Sequence, residues 1–435
     1  MSRTGHRPRK TPFAVRQAEI AVERIGGQGD GVGSLDGRPV YVPATVPGDR
    51  LSVRIVSTKG DGLAGEAIEL LAAGPDRVEP PCPHFGPCGG CALQQLRDET
   101  YAEWKAGLLR EALAKRGLRE TVLKPLARVA PGSRRRVRFA AGTRGRQVTF
   151  GFHQRDSHAV VDIEHCLLLL PALDRLIGPL RSGLEGMLAP GGHAALEATT
   201  TEAGIDLLIE QPGNPPDTAM RTRLAALADR LDLARVSWGR PAELPEPIIL
   251  RRPPAITFGG VAVALPPGAF LQPSREGEAL LLAEAQAALE GAERIADLFA
   301  GCGSFSLPLS KAAKVHAVEG DKAATDALQA AVKRANIGHR LTVERRDLER
   351  AALQPVELKR FDALLFDPPR SGAKAQAEAL ARGGPPLVVA VSCSPASFAR
   401  DARILVDGGY RLDWARPVDQ FPWSAHLEIV ARFSR

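Results

Sequence analysis

The hydrophobic and polar positions of the chain follow two different patterns, one toward each end. Over about the first seventy residues, short runs such as EIAVERI and RLSVRIVSTKG carry β-branched residues at alternating positions, with glycines and prolines between the runs. This alternation, punctuated by turn residues, predicts a small antiparallel β-barrel. From about Ile256, continuous apolar runs alternate with helical stretches. That second pattern predicts a doubly wound parallel sheet of the Rossmann-like α/β class.

Between these two ends lies a segment of mixed character. A loop rich in Pro, Gly and Cys occupies residues 75–92, a helical stretch runs from about Gln94 to Lys115, and the strand-like VRFAAG and VTFGFH follow. A chain of 435 residues is expected to form two or three domains. We predict a flexible basic arm over 1–11, a barrel over 12–72, a central α+β domain over 73–255 and an α/β domain over 256–435.

Composition and charge narrow the class of protein. Apolar residues make up 44% and charged residues 25% of the chain, which is typical of a folded globular protein. No apolar run approaches the length of a membrane-spanning helix, and the basic start has no apolar segment behind it. We therefore expect a cytoplasmic protein without a membrane partner, and nothing indicates an obligate protein partner. The net charge of +7 suits a polyanion such as RNA.

Three of the six cysteines lie within ten residues. They are Cys82, Cys88 and Cys91, and Cys166 follows far downstream. In a reducing compartment such clustering indicates a metal site rather than disulfides. Four thiolates can hold either a zinc ion or a [4Fe–4S] cluster. Zinc sites usually place their cysteines in two close pairs, so three close ligands with one distant ligand favour the cluster.

Acidic residues follow successive strands of the predicted parallel sheet. The glycine-containing segment 297–305, DLFAGCGSF, comes directly after the first of these strands, and Ser306 stands where a dinucleotide fingerprint would have its third glycine. Glu319 ends the next strand, where it can bind ribose hydroxyls, while Asp347 follows the third strand and Asp367 the fourth. The carboxyl ends of such strands form the ligand cleft. Together these residues predict a site for S-adenosylmethionine rather than NAD.

A nucleophile and a base are predicted near the same edge. Cys393 in VSCSP ends the fifth strand, and Glu428 lies in the strand-like segment 424–433. A strand cysteine is often only a small buried hydrophobe, and such a glutamate could merely face water. Beside a methyl donor, however, a thiolate can add to C6 of a pyrimidine and make C5 nucleophilic, and a carboxylate can then remove the C5 proton.

A basic run precedes the strand-like VRFAAG. It contains Arg134, Arg135, Arg136 and Arg138. Because side chains alternate along a strand, Arg136 and Arg138 are expected on one face, with Val137 on the other. The run is either a solvated face or a phosphate contact, and we predict that Arg134 and Arg136 bind substrate.

Seven motifs together resemble one protein family: PCPHFGPCGGC, GAFLQPS, DLFAGCGSF, HAVEGD, FDPPR, VSCSP and HLE. Over residues 12–435 the chain resembles the bacterial RNA 5-methyluridine methyltransferases of the iron–sulfur type that modify 23S ribosomal RNA. The N-terminal barrel resembles a TRAM domain, an RNA-binding module of the oligonucleotide/oligosaccharide-binding type.

The resemblance implies a role for each matching residue. It implies that Cys393 is the nucleophile, that Glu428 is the base and that Phe270 stacks on a flipped uracil. The implied [4Fe–4S] ligands are Cys82, Cys88, Cys91 and Cys166. The residues implied to contact the methyl donor or the reactive centre are Gln272, Phe299, Ser304, Glu319, Asp347 and Asp367. The chain departs from the family at Ser304 and Asp347, where asparagine is frequent.

Three alternatives remain open from the sequence. The same chemistry on transfer RNA is one, although the transfer-RNA relatives mostly lack both barrel and cluster. A cytosine-5 methyltransferase is disfavoured because the DPPR turn carries no second cysteine. A non-catalytic iron–sulfur RNA-binding protein would have no need of Cys393 and Glu428.

Overall fold

The computed structural model describes residues 16–145, 147–213, 215–241 and 243–435. The predicted basic arm over 1–11 lies outside these residues. The described residues divide into two compact units, the first formed by those within 16–86, 91–104 and 423–425 and the second by those within 87–90, 105–422 and 426–435. Within the described ranges, no helix has the length and apolar character needed to span a membrane.

The first unit contains a six-stranded sheet in the order β1-β5-β6-β4-β3-β2. Its strands are β1 (Arg16–Ala21), β2 (Arg24–Ile25), β3 (Gly31–Leu35), β4 (Arg38–Val42), β5 (Arg50–Lys59) and β6 (Gly62–Ala72). In β5, Leu51, Val53 and Ile55 are buried while Arg50 and Arg54 face solvent. This alternation builds the core of a small barrel-like domain, as predicted. The sheet is not antiparallel throughout, however, because β4 and β6 pair in parallel.

The glycines of GGQGDGVG do more than form turns. Gly31 and Gly33 lie inside β3, where an added Cβ would come within 2.0 Å of Thr45 Oγ1 and 2.3 Å of the Ala21 carbonyl oxygen, respectively. Side chains are excluded there because neighbouring chain segments approach the strand closely. Gly31 and Gly33 are therefore strand residues and not turn residues.

Residues 98–250 carry a seven-stranded sheet in the order β10-β9-β8-β11-β12-β13-β14. The strands of this region are β7 (Ala127–Arg128), β8 (Arg136–Arg144), β9 (Gln147–His153), β10 (Val160–Asp162), β11 (His193–Thr201), β12 (Gly204–Glu210), β13 (Leu233–Gly239) and β14 (Glu246–Leu250). The helices are α1 (Asp98–Ala114), α2 (Pro171–Asp174), α3 (Ile177–Leu184) and α4 (Thr218–Arg230). Apolar residues of α2, α3 and α4 share one core cluster with those of the sheet. Strand β7 is not part of this sheet.

The remaining residues form an eight-stranded sheet in the order β19-β18-β17-β20-β21-β23-β22-β7. After the hairpin of β15 (Ala255–Phe258) and β16 (Val261–Ala264), the strands are β17 (Arg294–Leu298), β18 (Lys314–Glu319), β19 (Leu341–Arg345), β20 (Ala363–Phe366), β21 (Leu387–Ser392), β22 (Arg411–Asp419) and β23 (Glu428–Ser434). The helices are α5 (Arg275–Ala288), α6 (Ser306–Leu309), α7 (Lys322–Arg334), α8 (Pro355–Leu358), α9 (Lys374–Gly383) and α10 (Pro395–Asp407).

This sheet has an apolar cluster on each face. Leu365 and Val389 belong to one cluster, whereas their chain neighbours Leu364 and Val388 belong to the other. Strands buried on both faces are typical of a doubly wound α/β domain, which confirms the predicted class. The sheet also takes in β7, which pairs with β22, from the range predicted as the central domain. The domain boundaries themselves stay a prediction.

Candidate active site

Four parallel strands end side by side at one edge of the eight-stranded sheet. Strands β18, β17, β20 and β21 are neighbours in that order, and each pair is parallel. Their carboxyl ends lead into Glu319, the segment 299–305, Asp367 and Cys393, respectively. Because a cleft forms where such strands end, these residues share one candidate site.

Antiparallel pairing brings the predicted base to the predicted nucleophile. Strand β23 runs against β21, and Ser392 at the end of β21 pairs with Ile429. Cys393 follows Ser392, and Glu428 precedes Ile429 as the first residue of β23. The two residues therefore meet at the same edge of the sheet, although they lie 35 positions apart in the chain.

Burial and charge keep both groups protonated in the free protein. Cys393 is half-buried, and burial together with the Glu428 and Asp367 carboxyl groups raises the pKa of its thiol to about 11. Glu428 is 4% exposed, and burial together with Asp367 raises the pKa of its carboxyl group to about 8. A carboxyl group with a pKa near neutrality is well matched to accepting a proton from carbon.

The loop after β17 is shaped for close approach of a ligand. Phe299, Gly301 and Gly303 all have positive φ, at 61°, 55° and 95°. The Gly301 N–H donates to Glu319 Oε2 at 2.8 Å, and the Asp321 N–H donates to Oε1 of the same carboxylate at 2.7 Å. Glu319 thus fixes the loop. Each of its carboxylate oxygens can still accept a second hydrogen bond. Phe299 and Ser304 are half-buried in the same loop.

Asp367 belongs to a chain of side-chain hydrogen bonds. Its Oδ2 accepts from Gln272 Nε2 at 3.2 Å, and Gln272 Oε1 accepts from Gln420 Nε2 at 3.1 Å. Burial raises the pKa of Asp367 to about 7, and the Gln272 hydrogen bond opposes that rise. The structure therefore brings together Gln272 and Asp367, which lie 95 positions apart.

A fourth carboxyl group, Asp297, was quoted in a motif but given no role by sequence reasoning. It is the penultimate residue of β17 and has no exposed surface. Its carboxyl group accepts a hydrogen bond from the Ser306 hydroxyl, and its Oδ1 has no partner among the described residues. Burial raises its pKa to about 7, and the Asp367 and Glu319 carboxyl groups add to the rise. An acid directly after a glycine-loop strand was the signal available in the sequence.

The segment that carries Phe270 and Gln272 is fixed by a buried arginine. Arg135, 1% exposed, donates from its backbone N–H to the Pro273 carbonyl at 2.8 Å and from Nε to the Gln272 carbonyl at 3.0 Å. Phe270 is 64% exposed, and the Arg136 guanidinium lies 5.5 Å from its ring centre. The ring therefore offers an open face for stacking.

Comparisons with known proteins agree with this geometry. Residues 262–434 match the family described as tRNA (Uracil-5-)-methyltransferase, and residues 15–68 match the TRAM domain. An uncharacterized RNA methyltransferase of Brucella suis is 42% identical over 96% of this chain and 97% of its own. The 23S rRNA (uracil(1939)-C(5))-methyltransferase RlmD of Chromohalobacter salexigens is 34% identical over 96% of this chain and 89% of its own.

The chain belongs to the RNA (uracil-5)-methyltransferase family. The solved structure of the Pyrococcus abyssi tRNA (uracil-54, C5)-methyltransferase in complex with S-adenosyl-L-homocysteine has a TM-score of 0.72 with this chain. The two are 23% identical, and the match covers 95% of this chain and 99% of that one. This likeness establishes the shared fold.

Asp347 lies apart from the buried carboxyl groups of this methyltransferase. Its side chain is 53% exposed and is 3.3 Å from the Arg350 guanidinium, and its Oδ1 accepts from the Glu349 N–H at 3.1 Å. These local bonds shape the turn after β19. The role of Asp347 in donor binding stays a prediction.

The arginine run is largely compensated by carboxylates. Arg136 makes two hydrogen bonds of 2.9 Å to Glu197, Arg138 pairs with Glu210, and Arg135 pairs with Glu278. The expected alternation holds, because Val137 is buried and Arg138 is exposed. Arg134 places its guanidinium 5.4 Å from the Phe421 ring centre. Both interpretations of the run, a solvated face or a phosphate contact, therefore stay open, and the substrate contacts of Arg134 and Arg136 stay a prediction.

The four candidate cluster ligands are all half-buried. Cys82 and Cys91 belong to the first unit, and Cys88 and Cys166 belong to the second. In the part of the chain that the structure describes, no group of three or more His, Cys, Asp or Glu side chains is placed to hold a metal ion. Because the four cysteines are divided between the two units, the [4Fe–4S] assignment stays a prediction.

The electrostatics of Cys393 predict its reactivity. With a pKa of about 11, the thiol should have a thiolate fraction at pH 8 roughly 10²-fold below that of an ordinary cysteine, so alkylation by iodoacetamide should be slow. Glu428→Gln should speed alkylation several-fold at pH 9, where Glu428 is otherwise charged. Mass spectrometry of the Cys393 peptide measures both rates, with buried Cys302 as the internal control. An unchanged rate at pH 9 would show that the carboxylate does not act on the thiol.

Proposed function

We propose that this protein transfers a methyl group from S-adenosylmethionine to C5 of a uridine in 23S ribosomal RNA. The single observation that carries the proposal is the meeting of Cys393 and Glu428 at the strand ends, beside the loop closed by Glu319. The relative RlmD, a 23S rRNA (uracil(1939)-C(5))-methyltransferase, supports the ribosomal target at 34% identity over 96% of this chain.

The positive charge of the methyl donor S-adenosylmethionine suits the acidic residues of the site. Asp297, Glu319, Asp367 and Glu428 line the strand ends, and repulsion between these carboxyl groups contributes to the raised pKa values of two of them. Asp367 owes its rise to burial, whereas Asp297 and Glu428 also feel neighbouring carboxyl groups. A sulfonium cation would relieve that repulsion. S-adenosylmethionine, when bound, supplies a methyl group that a carbon nucleophile can take.

The residues of the chain carry the steps on uracil. The Cys393 thiol first loses its proton to solvent. The thiolate Sγ then forms a bond to C6, and the C5=C6 electron pair moves toward O4, which makes C5 nucleophilic. C5 then takes the methyl group. Glu428 accepts the C5 proton, the C5=C6 bond re-forms, and the bond from Sγ to C6 breaks, which restores the thiolate. In the proposed mechanism Asp367 accepts a hydrogen bond from N3–H of the base, and Phe270 stacks on the face of the base.

The direct test is transfer of a tritiated methyl group to unmodified 23S RNA and to unmodified transfer RNA. We expect label in 23S RNA only, recovered as 5-methyluridine after digestion. Label in transfer RNA alone would move the proposal to the second substrate, which the description of the matched family favours. Binding of RNA without any label would support the non-catalytic alternative.

We propose further that Cys82, Cys88, Cys91 and Cys166 hold a [4Fe–4S] cluster. The proposal is supported by the sequence spacing and by the Gly90 N–H, which lies 3.5 Å from Cys88 Sγ as a donor to sulfur. Methyl transfer requires no electrons, which suits a structural role.

Protein purified without oxygen should be brown, with about four iron atoms per chain. Cys88→Ser should lose the iron and weaken RNA binding, whereas Cys302→Ser, outside the ligand set, should keep both. Iron and zinc are counted by elemental analysis. One tightly bound zinc, or a colourless protein that binds RNA normally, would contradict the cluster.

A further inference from the structure

Gln420 is a buried residue to which neither the sequence motifs nor the comparisons assign a role. It follows β22 directly and is 3% exposed. Its Nε2 donates to Gln272 Oε1 at 3.1 Å, and Gln272 Nε2 donates to Asp367 Oδ2 at 3.2 Å. The three side chains form a row that ends on a carboxyl group of the candidate active site.

The hydrogen bonds of this row all run in one direction, from Gln420 through Gln272 to Asp367, because each group can donate only from certain atoms. An amide has one accepting end and one donating end, while an ionised carboxylate only accepts. If Gln272 points its NH2 group at Asp367, its oxygen must face Gln420. Gln420 then has to present its own NH2 group, as it does here. A Gln272 amide turned the other way would face Asp367 with an oxygen and would require that carboxyl group to be protonated.

The packing around Gln420 holds its amide in place. An added Cβ on Gly277, in α5, would lie 2.0 Å from Gln420 Oε1, so the helix backbone packs directly on the amide. That oxygen has no hydrogen-bond partner among the described residues. On the other side, Asp419 forms an ion pair of 3.0 Å with Lys105, and both side chains are buried. A buried oxygen without a hydrogen-bond partner lowers the stability of the fold. We therefore infer that Gln420 is held in this orientation for the hydrogen bond that its NH2 group donates to Gln272.

We propose that Gln420 is a positioning residue that orients the amide of Gln272 so that Asp367 stays a hydrogen-bond acceptor for the target base. The inference rests on the proposed function, in which Asp367 accepts from N3–H of uracil. A protonated Asp367 would turn its O–H group toward the N3–H of uracil. Because both groups are donors, the hydrogen bond to the base would be lost.

The pH dependence of catalysis reports this arrangement. Asp367 accepts a hydrogen bond from Gln272. It also interacts electrostatically with three titratable groups, which are Asp297, Cys393 and Glu428. Gln272 lowers the pKa of Asp367 against the effect of burial. Loss of its oriented N–H should therefore raise that pKa and move the acidic limb of kcat/KM to higher pH, by about 1 pH unit.

The test compares Gln420→Met, Gln420→Glu and wild type in methyl transfer from pH 5.5 to 9. Gln420→Met keeps the length of the side chain and removes the amide, and it should shift the acidic limb by about 1 pH unit, with recovery at high pH. Gln420→Glu replaces the donor by an acceptor, which turns the Gln272 amide around, and should shift the limb further. Thermal unfolding of each variant is followed in parallel.

Gly277→Ala provides a second approach if Gln420→Met does not fold. Its methyl group displaces the Gln420 amide without changing residue 420, and it should give a shift in the same direction. A wild-type pH profile in these variants, or an equal loss of activity at every pH, would overturn the positioning role. If wild type itself transfers no methyl group to any RNA, the proposed function fails instead.

Discussion

Glu428→Gln should leave RNA covalently attached to the protein. The variant keeps the size of the side chain but cannot take up the C5 proton, so the bond from Cys393 to C6 cannot be broken after methyl transfer. Turnover should fall roughly 10²- to 10⁴-fold, the usual contribution of a positioned base. The stalled species should appear on a denaturing gel as a protein–RNA band with about one methyl group per adduct.

The matched control is Cys393→Ala, which lacks the nucleophile but leaves the base in place. It should bind RNA, form no adduct and release no S-adenosylhomocysteine. The double variant should behave like Cys393→Ala, because addition precedes proton removal. An adduct in Cys393→Ala, or normal turnover in Glu428→Gln, would show that the two roles are assigned wrongly.

Glu319→Ala should abolish most binding of the methyl donor. The carboxylate accepts the N–H groups of Gly301 and Asp321, so its loss releases the loop after β17 and also removes the acceptor for the ribose hydroxyls. Hydrogen bonds to a charged group are worth roughly 1.5–3 kcal/mol each, so we expect a loss in affinity of roughly 10²-fold or more. Calorimetric titration with S-adenosylmethionine and with S-adenosylhomocysteine measures it.

Asp347→Asn is the comparison variant for this experiment, because Asp347, which is also predicted to contact the donor, is more exposed than Glu319. Its carboxylate is half-exposed and is engaged by Glu349 and Arg350 within its own turn, so donor affinity should change by less than about tenfold. RNA affinity should be unchanged in both variants, since the donor loop is altered and the RNA-binding surfaces are not. Equal donor affinity in Glu319→Ala and wild type would remove Glu319 from the donor site.

The local pattern of apolar and polar residues was sufficient to predict the strands and helices of the methyltransferase domain. Apolar runs long enough to be buried on both faces predicted β17 to β21, and the helical stretch after Glu319 became α7. The acids after successive strands could also be placed at one edge, because parallel strands connected by helices all end on the same side. Glu319, Asp367 and Cys393 follow from this rule alone.

The position of Glu428 could not be derived that way. Its segment was recognised as a strand, but a sequence does not state whether the strand runs parallel or antiparallel to its neighbours. In a parallel strand, the first residue would lie at the opposite edge of the sheet from Cys393. Only the antiparallel register, with Ser392 opposite Ile429, brings the base to the nucleophile.

The same limit applies to the charged residues. The arginine run was visible in the sequence, but its partners Glu197, Glu210 and Glu278 lie on other elements, so its compensation depended on sheet pairing and on helix α5. Gln420 belongs to no recognisable motif. Its proposed role follows only from its hydrogen bond to Gln272 and its packing against Gly277. The sequence by itself determined the fold class, the family and the strand-end residues, because these depend on local periodicity and short motifs. The tertiary structure alone decided which distant side chains meet, because hydrogen bonds and ion pairs depend on distance in space and not on separation along the chain.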